Sequence, residues 1–144
     1  MQKDNCQDTT DLEKCLKHLT GFTGKIIVYG AFGGRIDQTL SSIHVLFKNP
    51  QLDIMLVDKY SIMTLINVGK TIVRPSIHEE RKGCGLIPVD GKVDQVKTEG
   101  LKWNLELGQE MSMGGLISTS NEIIADEVHI ETDKPLVWST SLKI

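Results

Sequence analysis

With 144 residues, 40% of them hydrophobic, the chain has the length of one or two small domains and enough apolar content for a packed core. Its formal net charge is −3 and its 16 basic residues are scattered without a run, which leaves no electrostatic footprint for nucleic acid or an anionic membrane. No apolar stretch approaches the ~20 residues of a membrane-spanning helix.

The opening MQKDNCQDTTD is polar and acidic, so no secretory leader is expected there. Cys6, Cys15 and Cys84 form no CxxC pair, and N-x-[ST] is absent, a combination that points to reduced thiols and a cytoplasmic protein.

TDLEKCLKHL (10–19) predicts a helix with Leu12, Cys15, Leu16 and Leu19 on one apolar face. Thr10 and Glu13 have the spacing of a capping box, with Thr10 as the N-cap. KIIVYGA (25–31) is a short apolar run of the kind found in buried parallel strands. A second helix is predicted from about Arg35 to Phe47, with Ile36, Leu40, Ile43 and Phe47 on one face and Asn49-Pro50 as its stop. DIMLVD (53–58) completes a strand–helix–strand unit. Two parallel strands do not make a self-sufficient sheet, so further strands are expected from elsewhere.

Beyond Lys59 the helical period disappears. SIMTLIN, KTIVRPS, CGLIPV, KVDQVKTEG, LKWNLE, EMSMGGLIS, EVHIETD and PLVWSTSL read as short strands between turn residues, the pattern of an antiparallel sandwich or barrel. The fold class is thus α/β plus all-β: a partial parallel α/β domain over 1–58 and an antiparallel β domain over 59–144.

Several stretches carry chemistry. YGAFGGRIDQ places Gly30, Gly33 and Gly34 between strand and helix, where exposed amides attract phosphate; Arg35 adds a forked cation, and Asp37 either holds that cation or faces a metal. A plain βα turn with a surface ion pair fits the same residues, since the spacing is neither GxGxxG nor GxxxxGK[ST]. Asp8 and Asp11 flank a helix start, where the helix dipole alone explains a carboxylate; hard oxygen ligands for Mg²⁺ are the alternative. Trp103 in GLKWNL is either a sheet-face tryptophan or an aromatic platform for a flat or cationic ligand. Ser118, Thr119, Ser120 and Asn121 in LISTSN suit either the edge of a heterocycle or a self-satisfied turn. The four histidines are dispersed, and HEER is not HExxH, so no zinc site is assigned.

In their order, QDTTDLEKCL, YGAFGGRIDQ, CGLIPV, GLKWNL, LISTSN and ETDKPLVW resemble the thiamine pyrophosphokinase family of the eukaryotic type, over residues 7 to about 138. The resemblance implies transfer of the β,γ-diphosphoryl group of ATP to the hydroxyethyl oxygen of thiamine, with Mg²⁺. It also implies a homodimer of α/β nucleotide domains and β-sandwich domains, with thiamine held between the two subunits. Carried over by position, Gln7 and Thr10 belong to the nucleotide segment with Gly33, Gly34 and Arg35. Asp11 is the metal ligand, and Asp11, Arg35 and Asp37 are catalytic. Trp103 packs near thiamine, and Ser118, Ser120 and Asn121 line the aminopyrimidine pocket. The family's earlier ADGGAN-like stretch and D-x-D-S motif have no counterpart in this sequence. The resemblance therefore implies an N-terminally truncated member short of two magnesium-binding aspartates, and a thiamine-binding or dimerising fragment without turnover is the competing reading.

Overall fold

The computed structural model describes residues 9–76 and 80–143. Thr10 caps helix α1 (Asp11–Lys17): its hydroxyl accepts the Glu13 N–H at 3.3 Å, and the Glu13 carboxylate accepts the Thr10 N–H at 2.8 Å. This is the predicted capping box, which satisfies two donors orphaned at the helix start. The predicted apolar face needs correction. Leu16 is buried and Leu12 packs beside it, but Cys15 and Leu19 are exposed, and the other buried residue of α1 is Glu13. Glu13 is turned inward because its carboxylate also binds Lys48, the last residue of α2. Polar pairing thus decides the helix's orientation as much as its apolar stripe does.

Strand β1 (Ile26–Tyr29) pairs in parallel with β2 (Ile54–Val57), and α2 (Ile36–Lys48) crosses between them. α2 buries Val45 and Leu46 against Leu16, Ile26, Ile54 and Leu56. Of the predicted stripe, Ile43 and Phe47 are half-buried, while Ile36 and Leu40 face outward. The helix has apolar residues on two sides, and periodicity alone does not say which side meets the sheet.

From β2 the chain turns into β3 (Ser61–Ile66), antiparallel to β2. Asp58 holds this turn: its Oδ1 accepts the N–H groups of Tyr60 and Ser61, each at 2.7 Å. The remaining strands are β4 (Gly69–Val73), β5 (Glu80–Ile87), β6 (Val96–Glu99), β7 (Ser118–Glu122), β8 (Val128–Thr132) and β9 (Leu136–Leu142). Among the described residues one sheet has the order β1-β2-β3-β9-β5-β7, and a second has the order β4-β8-β6. The strands that the parallel pair lacked on one side are supplied by the second half of the chain, so the main sheet runs unbroken past residue 58.

The two sheets enclose a core of Ile66, Leu86, Val96, Leu101, Met111, Ile130, Leu136 and Trp138. β3 serves both sides: Ile66 joins this sandwich core, while Met63 and Leu65 pack on the α/β core. The fold is a partial α/β layer continued into a β-sandwich. Two predicted strands are corrected. LKWNLE and EMSMGGLIS are loops that form no strand of either sheet before Ser118, their bridge pairings being the isolated ones of Leu101 with Ile123 and of Met111 with Val93. STSNE, read as a polar cluster after a strand, is itself strand β7.

Candidate functional site

The carboxyl ends of β1 and β2 point the same way, and the loop 30–35 leaves from one of them. Crevices at such ends are where open α/β sheets bind ligands. Gly30, Gly33 and Gly34 have φ of 70°, 91° and 68°, the left-handed region that favours glycine. The loop is tied down at several points. Gly30 N–H donates to Val57 O at 2.8 Å, Gly33 N–H to Thr39 Oγ1 at 3.3 Å, and Ser42 Oγ to Ala31 O at 2.5 Å. Arg35 is the N-cap position of α2 and forks onto Asp37, with Nε to Oδ1 at 3.1 Å and Nη2 to Oδ2 at 2.5 Å. Both side chains are exposed, and each favours the other's charge: the bond to Asp37 raises the Arg35 pKa, and Arg35 holds the Asp37 carboxyl below its ordinary range.

Asp58 was not among the residues singled out from sequence. It follows β2 at the same end of the sheet, and its Oδ2 lies 3.7 Å from where a side chain on Gly33 would begin. Its signal in the sequence is only its place, the first residue after the second apolar run.

Asp11 opens α1 and is exposed. Through Glu13 and Lys48 that helix is fastened to the C-terminal end of α2, whereas Arg35 and Asp37 stand at its N-terminal end. A 13-residue helix is about 20 Å long. Among the described residues no group of three or more His, Cys, Asp or Glu side chains gathers to hold a metal ion. They offer single carboxylates, which suits Mg²⁺ only where phosphate oxygens and water complete its shell. Gln7 and Asp8 lie outside the described residues.

A second constellation lies on the sandwich. Trp103 stands in the turn between β6 and β7, and the residue is 57% exposed. Lys102 Nζ sits 4.8 Å from the ring centroid and 3.1 Å from Glu122, so this face already receives one cation. The backbone of the turn is closely held. Lys102 N–H donates to Glu122 O at 2.8 Å, Leu101 N–H to Asn104 Oδ1 at 3.1 Å, and Leu105 N–H to Thr98 Oγ1 at 2.8 Å. Gly100, with φ 96°, lies so close to the next segment that a Cβ would fall 2.4 Å from Glu127 O.

Ser118 and Asn121 are buried on β7, while Thr119 and Ser120 are exposed. Strict alternation would place Ser118 with Ser120 and opposite Asn121. A bulge changes this: Leu86 pairs with Ser118 and Cys84 with Asn121, so Gly85 alone faces Thr119 and Ser120. Ser120 has φ 57°. The exposed side of the bulge carries the hydroxyls of Thr119, Ser120, Ser139 and Ser141 around Gly83 and Gly85, in a shallow open trough. The buried Cys84 thiol beneath it is pushed up to about 12 by desolvation and stays neutral.

Two family models match, "Thiamin pyrophosphokinase, catalytic domain" over residues 1–57 and "Thiamin pyrophosphokinase, vitamin B1 binding domain" over 70–137. Thiamine pyrophosphokinase 1 of Oryza sativa subsp. japonica is 39% identical over 145 residues, and thiamine pyrophosphokinase 2 of Arabidopsis thaliana is 37% identical over 147 residues. The chain belongs to the thiamine pyrophosphokinase family. Each of these two relatives covers 95% of the chain, and the chain spans about half, 54%, of each relative's length. A solved thiamine pyrophosphokinase from Bacillus subtilis superposes with a TM-score of 0.84 at 24% identity, over 96% of this chain and 66% of that one, a likeness of fold. Within this chain, the glycine loop falls in the segment matched by the catalytic model, and the Trp103 turn and β7 fall in the segment matched by the vitamin B1 binding model.

Proposed function

We propose that the chain works as a thiamine pyrophosphokinase, moving the β,γ-diphosphoryl group of ATP to the hydroxyl of thiamine to give thiamine diphosphate and AMP. What carries the reading is the presence in one chain of a glycine loop with a forked Arg35–Asp37 pair, after β1 at one end of the main sheet, and a rigid turn presenting an exposed indole, before β7 at the other. Gly33, Gly34 and Arg35 are assigned to the ATP phosphates and Gln7 and Thr10 to the nucleotide segment, Arg35 stabilising negative charge on the transferred group while Asp37 orients its guanidinium. Asp11 would hold Mg²⁺, which when bound would neutralise charge on the phosphate oxygens; this role rests on the resemblance, since Asp11 stands at the opposite end of α2 from Arg35. Trp103 offers thiamine, a cation, an aromatic face, and Ser120 a hydroxyl; Ser118 and Asn121 belong to the same site. The protein is proposed to act as a homodimer, as the family resemblance implies, and in the cytoplasm, where the free thiols of Cys15 and Cys84 fit a reducing medium; no described helix is long and apolar enough to cross a membrane.

The scattered carboxylates favour a second reading, thiamine binding without turnover. One assay separates the two. With ATP, Mg²⁺ and thiamine, the catalytic reading expects thiamine diphosphate and AMP in equal amounts, both suppressed by Arg35→Ala. Calorimetric thiamine binding without either product supports the second reading, and neither binding nor product refutes both.

A further inference from the structure

We infer that Asn121 is a positioning residue that holds the Trp103 indole in place as a preformed platform, and that Gly85 and the bulge facing it are what aim Asn121 at the Trp103 turn. This rests on the reading of Trp103 as the thiamine-contacting residue, and it assigns Asn121 a different role from a lining of the pocket.

An asparagine amide has two donors and two acceptor positions. In Asn121 all four are used within the protein. Nδ2 donates to Trp103 O at 2.7 Å and to Ser118 Oγ at 3.2 Å. Oδ1 accepts the N–H of Trp103 at 3.2 Å and that of Glu122 at 2.8 Å. With the side chain 4% exposed, no capacity remains for a ligand. Two of the four bonds end on the backbone of one residue, Trp103, whose own side chain is left outside. A buried polar group with every bond satisfied rigidifies what it touches. Here the immobilised object is the main chain that carries an exposed indole, whereas Trp138, at 2% exposure, is an ordinary core tryptophan.

The bulge makes this geometry available. It turns Ser118 and Asn121, three residues apart, to the same inner side, where Ser118 Oγ orients the amide. The bulged backbone lies against Gly85: a Cβ there would stand 2.9 Å from Ser118 O, closer than side chains tolerate. The requirement for glycine at 85, the left-handed Ser120, the inward Asn121 and the held Trp103 are consecutive parts of one device.

The test is a double-mutant cycle on thiamine affinity by calorimetry, using Asn121→Ala, Trp103→Ala and the pair in the 144-residue chain. Positioning through Trp103 expects Asn121→Ala to weaken binding about tenfold alone and less than about twofold in the Trp103→Ala background. Equal losses in both backgrounds overturn it, because they mean a direct contact. If Trp103→Ala leaves thiamine affinity unchanged, the thiamine reading of Trp103 falls, and the positioning claim is judged by hydrogen exchange at the Trp103 amide. That amide is expected to be protected in the wild type and released by Asn121→Ala; free exchange in the wild type overturns the claim. Should Asn121→Ala fail to fold, Ser118→Ala takes its place in the cycle, and the wild-type exchange measurement stands unaffected.

Discussion

Ser120 stands at φ 57°, a conformation in which an L side chain crowds its own carbonyl at a cost of roughly 1–2 kcal/mol. Ser120→Gly is therefore expected to raise the urea midpoint or leave it unchanged, and Ser120→Val to lower it by about the same energy as the strain. A lower midpoint for the glycine variant would show that the hydroxyl, and not the backbone, governs the position. Glu13 gives a prediction in pH. The hydrogen bond from Lys48, with help from the Thr10 N–H and against burial, lowers its carboxyl from 4.5 to about 2. A carboxyl lowered on folding stabilises the fold fully above its unfolded value, and that contribution fades as pH falls through the folded one. Wild type should exceed Glu13→Gln in melting temperature at pH 7, with the gap closing between about pH 4.5 and pH 2; a gap constant with pH would remove the carboxylate from the explanation. Residues acting on near neighbours were legible in the sequence: Thr10 with Glu13, and Arg35 with Asp37. The pairing of Asn121 with Trp103, eighteen positions apart, was not, because it depends on a bulge that period-2 counting excludes.

At the scale of elements, the strand–helix–strand unit and most strands of the sandwich were visible as apolar runs between turn residues. The misreadings share a cause. GLKWNLE alternates as a strand does, yet Gly100 and the Asn104 carboxamide close it into a turn. Ile36 and Leu40 have helical spacing, yet the sheet took Val45 and Leu46 instead. This leaves Ile36 and Leu40 exposed on α2, while Ile27 and Tyr29 are exposed on the face of β1 turned away from that helix, apolar surface of the kind through which proteins associate. The combined substitution Ile36→Lys and Leu40→Glu should reduce self-association in sedimentation velocity while leaving the melting temperature within a few degrees, since neither side chain belongs to the buried core. A large fall in melting temperature would place them in the core after all.

Over the whole molecule, the change from a mixed helix-and-strand fold to strands alone was readable from the loss of helical period after residue 58. What composition could not convey is that the parts share a ladder, since β2 and β3 pair across that point and β9 continues the sheet. Unfolding in calorimetry is therefore expected as one transition with equal calorimetric and van't Hoff enthalpies; two resolved peaks would contradict it. The shared strand also limits how such chains can be recombined. A chimera that joins the first segment of one relative to the second of another inherits a foreign β2–β3 register. A slip of one residue there would hand Met63 and Leu65 to the sandwich and Ile66 to the helices, exchanging the contents of both cores at once. For recombination the two segments are a single inheritance unit, and the safe crossover points lie in the loops of the sandwich, away from residue 58.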